Sequence, residues 1–466
     1  MDYDLIVIGA GAGGFAAAIR ANELEAKTLM INDGLPLGGT CVNVGCVPSK
    51  ALLYAGELLH LARHHGIPGI ELHVKSFDFK EVIQHELDLV KMMQKEKYEK
   101  VLKRLEHVTF IQGRASFASK DEVRVDGKNF RAKKVIIATG STASVPPIEG
   151  IKETGFITHI EALKLKALPR ELIVVGAGPL GLEFAQMYAR FGSKVTILEF
   201  QPSVFQPGEE EVVNRLESLL TEEGITIKTR ATVKKAYKKG NKKVLTYLID
   251  GKEYEVSGDE ILLAAGKTPN TKDLDLDKAG IETDRRHAVV VNKHLTTKND
   301  KVFAVGDVIN QPSRLETTAG REGSIAAENA LNGSKLTMDY DAVPYTIFTD
   351  PQLAGAGLTE QEQMNRMNTC ACRSVDFKDI PKAIILNRTE GLIKMAVHPK
   401  SGQILGVHIL APNAGELIAQ AMILIKNKNT IYDVIDSTPV FPTLSEAIKT
   451  CSLSFVKDIS GLSCCV

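Results

Sequence analysis

Four of the seven cysteines in this 466-residue chain fall in two close pairs. One pair, Cys41 and Cys46, is embedded in Gly38-Gly39-Thr40-Cys41-Val42-Asn43-Val44-Gly45-Cys46-Val47-Pro48-Ser49-Lys50; the other, Cys464 and Cys465, stands just before Val466. Thiolates are soft metal ligands and redox nucleophiles, so the two pairs can pass either electrons or a metal ion. Adjacent cysteines have Cα atoms about 3.8 Å apart, below the ~4.4–6.8 Å of ordinary disulfides. A Cys464–Cys465 disulfide is therefore strained and easily reduced, leaving two thiols to clamp a soft ion. Cys370 and Cys372 alternate on a predicted strand and Cys451 follows Glu446 on a helix; all three read as small buried hydrophobes.

Two glycine turns are placed to bring electrons to such thiols. Leu5-Ile6-Val7-Ile8 runs into Gly9-Ala10-Gly11-Ala12-Gly13-Gly14 and an Ala-rich helix. Gly9 allows the tight turn, Gly11 admits a pyrophosphate, and Gly14 lets the helix pack closely. The phosphate then rests on free N–H groups at the helix N-terminus. The pattern recurs where Leu172-Ile173-Val174-Val175 precedes Gly176-Ala177-Gly178-Pro179-Leu180-Gly181. The next strand ends in Glu199, 21 residues after Gly178, and no Arg or Lys follows in Phe200-Gln201-Pro202-Ser203. An acid there accepts from a ribose 2′-hydroxyl and repels a 2′-phosphate, so NADH is expected over NADPH. At the first turn Asn32 replaces the acid and Asp33 follows, so either is the candidate ribose residue. Two such turns suggest a flavin and a nicotinamide. Two apolar strands support this: Val135 to Ile137, running into Ala138-Thr139-Gly140-Ser141, and Val302 to Val305, ending at Gly306-Asp307.

These four segments, with Cys41 and Cys46, resemble the pyridine nucleotide–disulfide oxidoreductases over nearly the whole chain. The resemblance implies an α/β fold: two Rossmann-like dinucleotide-binding domains, for FAD and NAD, and an α+β C-terminal dimerisation domain. It places the FAD-binding domain at 1–150 and 271–337 and the NAD(P)-binding domain at 151–270. The interface domain, with its Cys-Cys tail, falls at 338–466. It adds Gly39, Thr40, Ala115, Gly266 and Asp307 to the cofactor-binding residues, beside Thr139, Gly140 and Ser141. It makes Cys46 the thiolate beside the flavin and Cys41 the thiol that meets substrate. A helix N-terminus there would keep thiolate available. Lys50, one turn on, resembles the lysine near the flavin, and Glu183 its ion-pair partner. Lys267 stands in Gly266-Lys267-Thr268-Pro269-Asn270 where the family usually has Arg.

The branch is read near the C-terminus. Disulfide-reducing members carry His-Pro followed by Glu, an acid–base pair that protonates the leaving thiol. Here Glu446 is present, but Phe441-Pro442 replaces His-Pro. Phenylalanine transfers no proton, and such catalysis is typically worth about 10²–10⁴-fold. A metal-ion substrate needs no proton shuttle. The inner motif, the tail, Phe348-Thr349-Asp350-Pro351-Gln352 and Phe455-Val456-Lys457-Asp458 resemble the branch that reduces mercuric ion. That resemblance implies a homodimer with shared sites: tail thiols Cys464 and Cys465 capture Hg(II) and pass it to Cys41 and Cys46, where it becomes Hg(0). Phe156 and Thr443 stand where that branch has tyrosines, with Tyr345 a candidate substitute. The alternative is an FAD-dependent thiol–disulfide reductase of the lipoamide or large thioredoxin-reductase type, with the tail as electron relay.

Bulk composition fits an enzyme of about three domains, at ~150 residues each. Hydrophobic residues make up 44%, and 57 basic side chains balance 57 acidic ones. Nothing resembles a basic nucleic-acid patch or an apolar run of ~18 residues. No leader pattern precedes the first strand, so a cytoplasmic location is expected. His64-His65 reads as a solvated break, and Met92-Met93 as packing on a charged helix.

Overall fold

The computed structural model describes residues 2–311, 313–461 and 463, so Cys464 and Cys465 lie outside the described residues. The chain divides into two compact units: Met1–Ala51, Glu81–Ser144 and Gly266–Tyr340 in one, Leu52–Lys80, Val145–Ala265 and Asp341–Val466 in the other.

In the first unit, the apolar run of strand Tyr3–Ile8 is buried at the centre of a seven-stranded sheet. It pairs in parallel with Thr28–Asn32 on one side and Lys128–Ile137 on the other, with Leu5 opposite both Thr28 and Lys134. Strand Val302–Ala304 pairs with Lys128–Ile137. This order brings the ends of Ile8, Ile137 and Ala304 side by side, with their following turns at one sheet edge. The sheet's parallel centre, buried on both faces, explains why Leu5 to Ile8 and Val135 to Ile137 read as continuous Val, Ile and Leu. Helices Ala12–Glu23 and Glu316–Asn332 pack so closely that a Cβ on Gly323 would stand 2.1 Å from the Gly13 carbonyl oxygen.

The second unit carries three sheets. Thr226–Lys228, Lys194–Leu198, Glu171–Val175 and Glu260–Leu263 form a parallel four-stranded sheet. Beside it, Thr232–Lys239, Lys242–Ile249 and Lys252–Gly258 form an antiparallel meander. An antiparallel five-stranded sheet runs Tyr345–Ile347, Gln352–Gly357, Ile404–Ala411, Leu392–Val397, Ala371–Asp376. A buried ion network ties helix Pro179–Phe191 to the residues entering this sheet. Arg190, 5% exposed, bonds Glu223 at 2.6 Å and Asp350 at 3.0 Å, and Asp350 also meets Arg388. Burial pushes Asp350 up, but Arg388 and Arg190 outweigh it and hold the carboxyl below its usual range. Among the described residues no helix is long and apolar enough to cross a membrane.

Some sequence expectations shift. Cys451 is fully buried as read, but Cys370 and Cys372 are half-buried, because they open the strand at the edge of the five-stranded sheet. Met92 is 51% exposed, so only Met93 of that doublet is partly covered. The charged helix is also irregular: Phe79–Gln94 passes into a π-helical turn at Lys95–Glu99 and then a last turn at Lys100–Leu102.

Candidate active site

The loop bearing Cys41 and Cys46 is fastened to the first glycine turn. Gly38 N–H donates to the Ala10 carbonyl at 2.8 Å. Gly39 has φ +64°, and a Cβ on it would stand 2.7 Å from the Gly11 Cα. Only glycine permits that approach. Cys41 then sits in the short helix Gly39–Val44, and Cys46 opens the long helix Cys46–His64. Asn43 Nδ2 closes the short helix back onto the Gly39 carbonyl at 2.8 Å.

Charge separates the two thiols. Cys41 donates a hydrogen bond to Cys46; that bond first, and burial second, push the Cys41 pKa far up. Receiving it lowers the Cys46 pKa, assisted by the Lys50 ammonium one turn along the same helix. The helix N-terminus acts in the same sense. Cys46 thus carries the thiolate and Cys41 the proton.

Sequence reasoning missed the third member. The ligand atoms of Cys41, Cys46 and Glu316 all lie within 4.8 Å of one another. Glu316 opens helix Glu316–Asn332, and burial raises its pKa against hydrogen bonds from Cys41 and Tyr98. Tyr98 reaches it from the π-helical turn, with its hydroxyl 3.5 Å from Glu316 Oε1 and its ring edge-on to Phe15 at 5.0 Å. Irregular turns of this kind often mark functional positions. Tyr345, the tyrosine proposed from sequence, lies in the second unit against Phe205, with its hydroxyl 3.5 Å from His408 Nδ1. Strand Tyr345–Ile347 turns its ring into that packing.

A cleft unites the thiols with both glycine turn and strand ends, lined by Gly11, Cys41, Cys46, Ser141, Lys267, Asp307 and Glu316. Ser141 Oγ donates to Asp307 Oδ2 at 2.6 Å. Thr139 Oγ1 and the Asn270 side chain cross-link their two loops at 2.8 and 2.9 Å. Lys267 faces the cleft; burial lowers its pKa while Asp307 and Cys46 oppose that. Gly140 and Gly266 take φ +67° and +103° at the turns, and Thr40 lines the wall. Ala115 is buried at the start of strand Ala115–Ser119.

The residues fit an FAD dinucleotide. Helix Ala12–Glu23 has no side-chain cap, leaving its first N–H groups for a phosphate. A Cβ on Gly14 would stand 1.9 Å from the Gly9 oxygen, whereas one on Gly11 has nothing nearer than 3.8 Å. Asn32 is committed elsewhere: Oδ1 accepts from Ala10 N–H at 3.2 Å and Nδ2 donates to the Leu35 carbonyl at 2.8 Å. Asp33 accepts from Arg114 Nε at 2.9 Å near the surface.

The second glycine turn fits a dinucleotide as well. A Cβ on Gly181 would stand 2.0 Å from the Gly176 oxygen, Gly176 has φ +107°, and nothing lies within 4 Å of the Gly178 position. The Glu199 carboxylate accepts from Ala177 N–H at 2.5 Å and Gln201 N–H at 2.7 Å, which fixes it at the strand end. The adjacent strand brings Lys228 and Arg230, both exposed, with their backbone against Glu199 and Gln201. A reading confined to the residues after Glu199 could not see them.

The remaining candidates are in the second unit. Glu183, 5% exposed, accepts from Phe348 N–H at 2.9 Å. Glu446 Oε2 accepts from Thr443 N–H at 2.8 Å as it opens helix Glu446–Leu453, and Phe441 is 45% exposed. Phe156 packs against the core around Ile148 and Ile173.

Comparison with known proteins agrees with this geometry. A model described as pyridine nucleotide-disulphide oxidoreductase matches residues 3–323, and one for that family's dimerisation domain matches residues 343–452. A mercuric reductase of Staphylococcus aureus is 36% identical over 466 residues, covering 100% of this chain and 84% of that protein. A mitochondrial dihydrolipoyl dehydrogenase of Pisum sativum is 35% identical over 472 residues, covering 97% and 91%. Among solved structures, the HOCl-induced flavoprotein disulfide reductase RclA of Escherichia coli superposes with TM-score 0.86 at 28% identity, covering 98% and 100%.

Proposed function

The chain belongs to the pyridine nucleotide-disulphide oxidoreductases, and on that premise we propose that it oxidises NADH to reduce mercuric ion. NADH and Hg(II) give NAD⁺, a proton and Hg(0), so the two electrons balance. Members of this family use FAD and pyridine nucleotides, and bound flavin would supply the two-electron path between nicotinamide and thiols.

The flavin falls to Gly9, Gly11, Gly14 and Asp307 and the nicotinamide nucleotide to Gly176, Gly178, Gly181 and Glu199. Cys46 offers a thiolate, and Cys41 becomes one by passing its proton to Glu316. The two sulfurs then hold the ion, and Glu316 becomes a third donor once it has released that proton to water. Soft thiolates suit such an ion, and ligand exchange between pairs needs no proton donor to a leaving group. In a homodimer the Cys464–Cys465 tail would load the ion, with Lys50 beside the flavin. The observation that carries this reading is the cluster of Cys41, Cys46 and Glu316 within 4.8 Å.

The test is steady-state NADH oxidation by the flavin-loaded protein with excess thiol, comparing Hg(II), lipoamide and glutathione disulfide. C41S and C46S should each abolish the mercury-dependent rate. NADH oxidation indifferent to Hg(II) would sink the proposal. Rapid lipoamide turnover instead would favour the thiol–disulfide reductase reading, which the pea relative supports and Phe441 opposes.

A further inference from the structure

The second unit gathers another set of two thiols and a carboxylate, far in sequence from the first. We propose that Cys370, Cys372 and Glu360 form a binding site for a soft d¹⁰ dication such as Zn(II), Cd(II) or Hg(II). Their ligand atoms lie within 4.8 Å of one another. Two periodicities converge to make the cluster. Glu360 and Gln363 lie three apart on helix Glu360–Met367 and share a face. Cys370 and Cys372 lie two apart on extended chain and share a side. Asn368, at φ +53°, makes the turn that lays one face on the other.

The contacts read as a donor set already aimed. Cys370 Sγ lies 3.5 Å from Glu360 Oε1, and Cys372 Sγ lies 3.8 Å from Gln363 Oε1. Gln363 is completely buried, and its Nε2 donates to the Val397 carbonyl at 2.7 Å. Its amide oxygen is thereby turned towards Cys372 as a fourth donor.

Charge also favours a cation. Lys394 Nζ holds the other Glu360 oxygen at 2.6 Å but also pairs with Glu209 at 2.8 Å and Glu211 at 3.4 Å, so one ammonium faces three carboxylates before loading. Binding releases two thiol protons and takes up one dication, leaving the net charge unchanged. The edge position leaves both sulfurs half-buried and reachable.

The test uses reduced, full-length, flavin-loaded protein titrated anaerobically with cadmium chloride, a d¹⁰ ion that nicotinamide-level electrons do not reduce. It therefore stands apart from the mercury reading. Bound ion is counted by sulfur-to-cadmium ultraviolet absorbance. C370S/C372S should bind one cadmium fewer per chain and keep NADH-driven reduction of a dye. E360Q should keep the count with affinity weakened about tenfold. In the unsubstituted protein, cadmium should shield Cys370 and Cys372 together from iodoacetamide, read by peptide mass spectrometry. Equal cadmium counts in parent and double variant, or alkylation of both thiols at the same rate with and without cadmium, overturn the site. If the double variant does not fold, the alkylation comparison alone decides.

Discussion

Glu316→Gln is the sharpest probe of the thiol pair, because it removes a charge and keeps the shape. The carboxylate lies within 4.8 Å of both sulfurs. A unit charge at that distance is worth about 0.9 kcal/mol in a water-like dielectric and about 3.5 kcal/mol at an effective dielectric near 20. At ~1.36 kcal/mol per pKa unit, that spans about 0.6 to 2.5 units. Cys46 is exposed to the cleft, which favours the lower half of the range, about one unit. The sign is fixed: an anion beside Cys46 disfavours its thiolate, so the amide should lower the Cys46 pKa. The full shift should appear only above the pH where Glu316 ionises, itself raised by burial. The assay is the pH dependence of Cys46 alkylation by iodoacetamide in the reduced protein, resolved by peptide. In turnover the same substitution should act oppositely, slowing mercury-dependent NADH oxidation about 10²-fold, since the proton acceptor beside Cys41 is gone. A Cys46 midpoint that stays put or moves up would refute the electrostatic reasoning.

Four further outcomes are expected. Glu199→Ala should raise the NADPH-to-NADH ratio of kcat/KM at least about tenfold, a difference of ~1.4 kcal/mol, because it removes the anion that repels a 2′-phosphate; an unchanged ratio would exclude Glu199 from ribose selection. Gly181→Ala, whose Cβ meets the Gly176 oxygen at 2.0 Å, should raise the NADH KM with flavin content intact, whereas Gly14→Ala, at 1.9 Å from the Gly9 oxygen, should purify without flavin. Arg190→Met should cost about 3–5 kcal/mol in urea unfolding, because Glu223 and Asp350 lose a buried partner. Asp350 is held below its usual range, so its contribution is present above about pH 4 and lost as pH falls towards the folded value; in Arg190→Met the acid limb should therefore begin at higher pH. Phe441→His should add lipoamide reduction without reducing the mercury rate if Glu446 can orient the new imidazole; no gain would mean the Glu446 carboxylate is held too firmly by Thr443 N–H.

What was legible in the sequence is what the backbone needs locally. Gly9, Gly11 and Gly14 fall within six residues because one turn must close, admit a ligand and pack a helix, and all three demands act on neighbours. The same holds for Gly176, Gly178 and Gly181, and for Cys46 at a helix start. The parallel strands were legible because burial on both faces leaves no polar residue to interrupt them. Asn32 shows the limit: it ends its strand as the pattern implies, but its amide is occupied by Ala10 and Leu35, which no spacing reveals.

The charges around the thiols were illegible for a different reason. Glu316 lies 270 residues from Cys46 in the chain, and its helix reaches the cleft only because strand Val302–Ala304 pairs beside Ile136 and Ile137. Tyr98 depends on a π-helical turn that the run of Lys and Glu around it reads as ordinary helix. Both are exposed-looking residues whose neighbours are set by topology rather than by period. The same blindness applies to Glu360, whose helical face is readable but whose opposing strand is not. Two thiols and a carboxylate occur together twice among the described residues, and in both cases the sulfur was visible from sequence while the oxygen was not. The cysteines advertise soft-ion chemistry; the acids decide where the protons go, and only the fold brings them there.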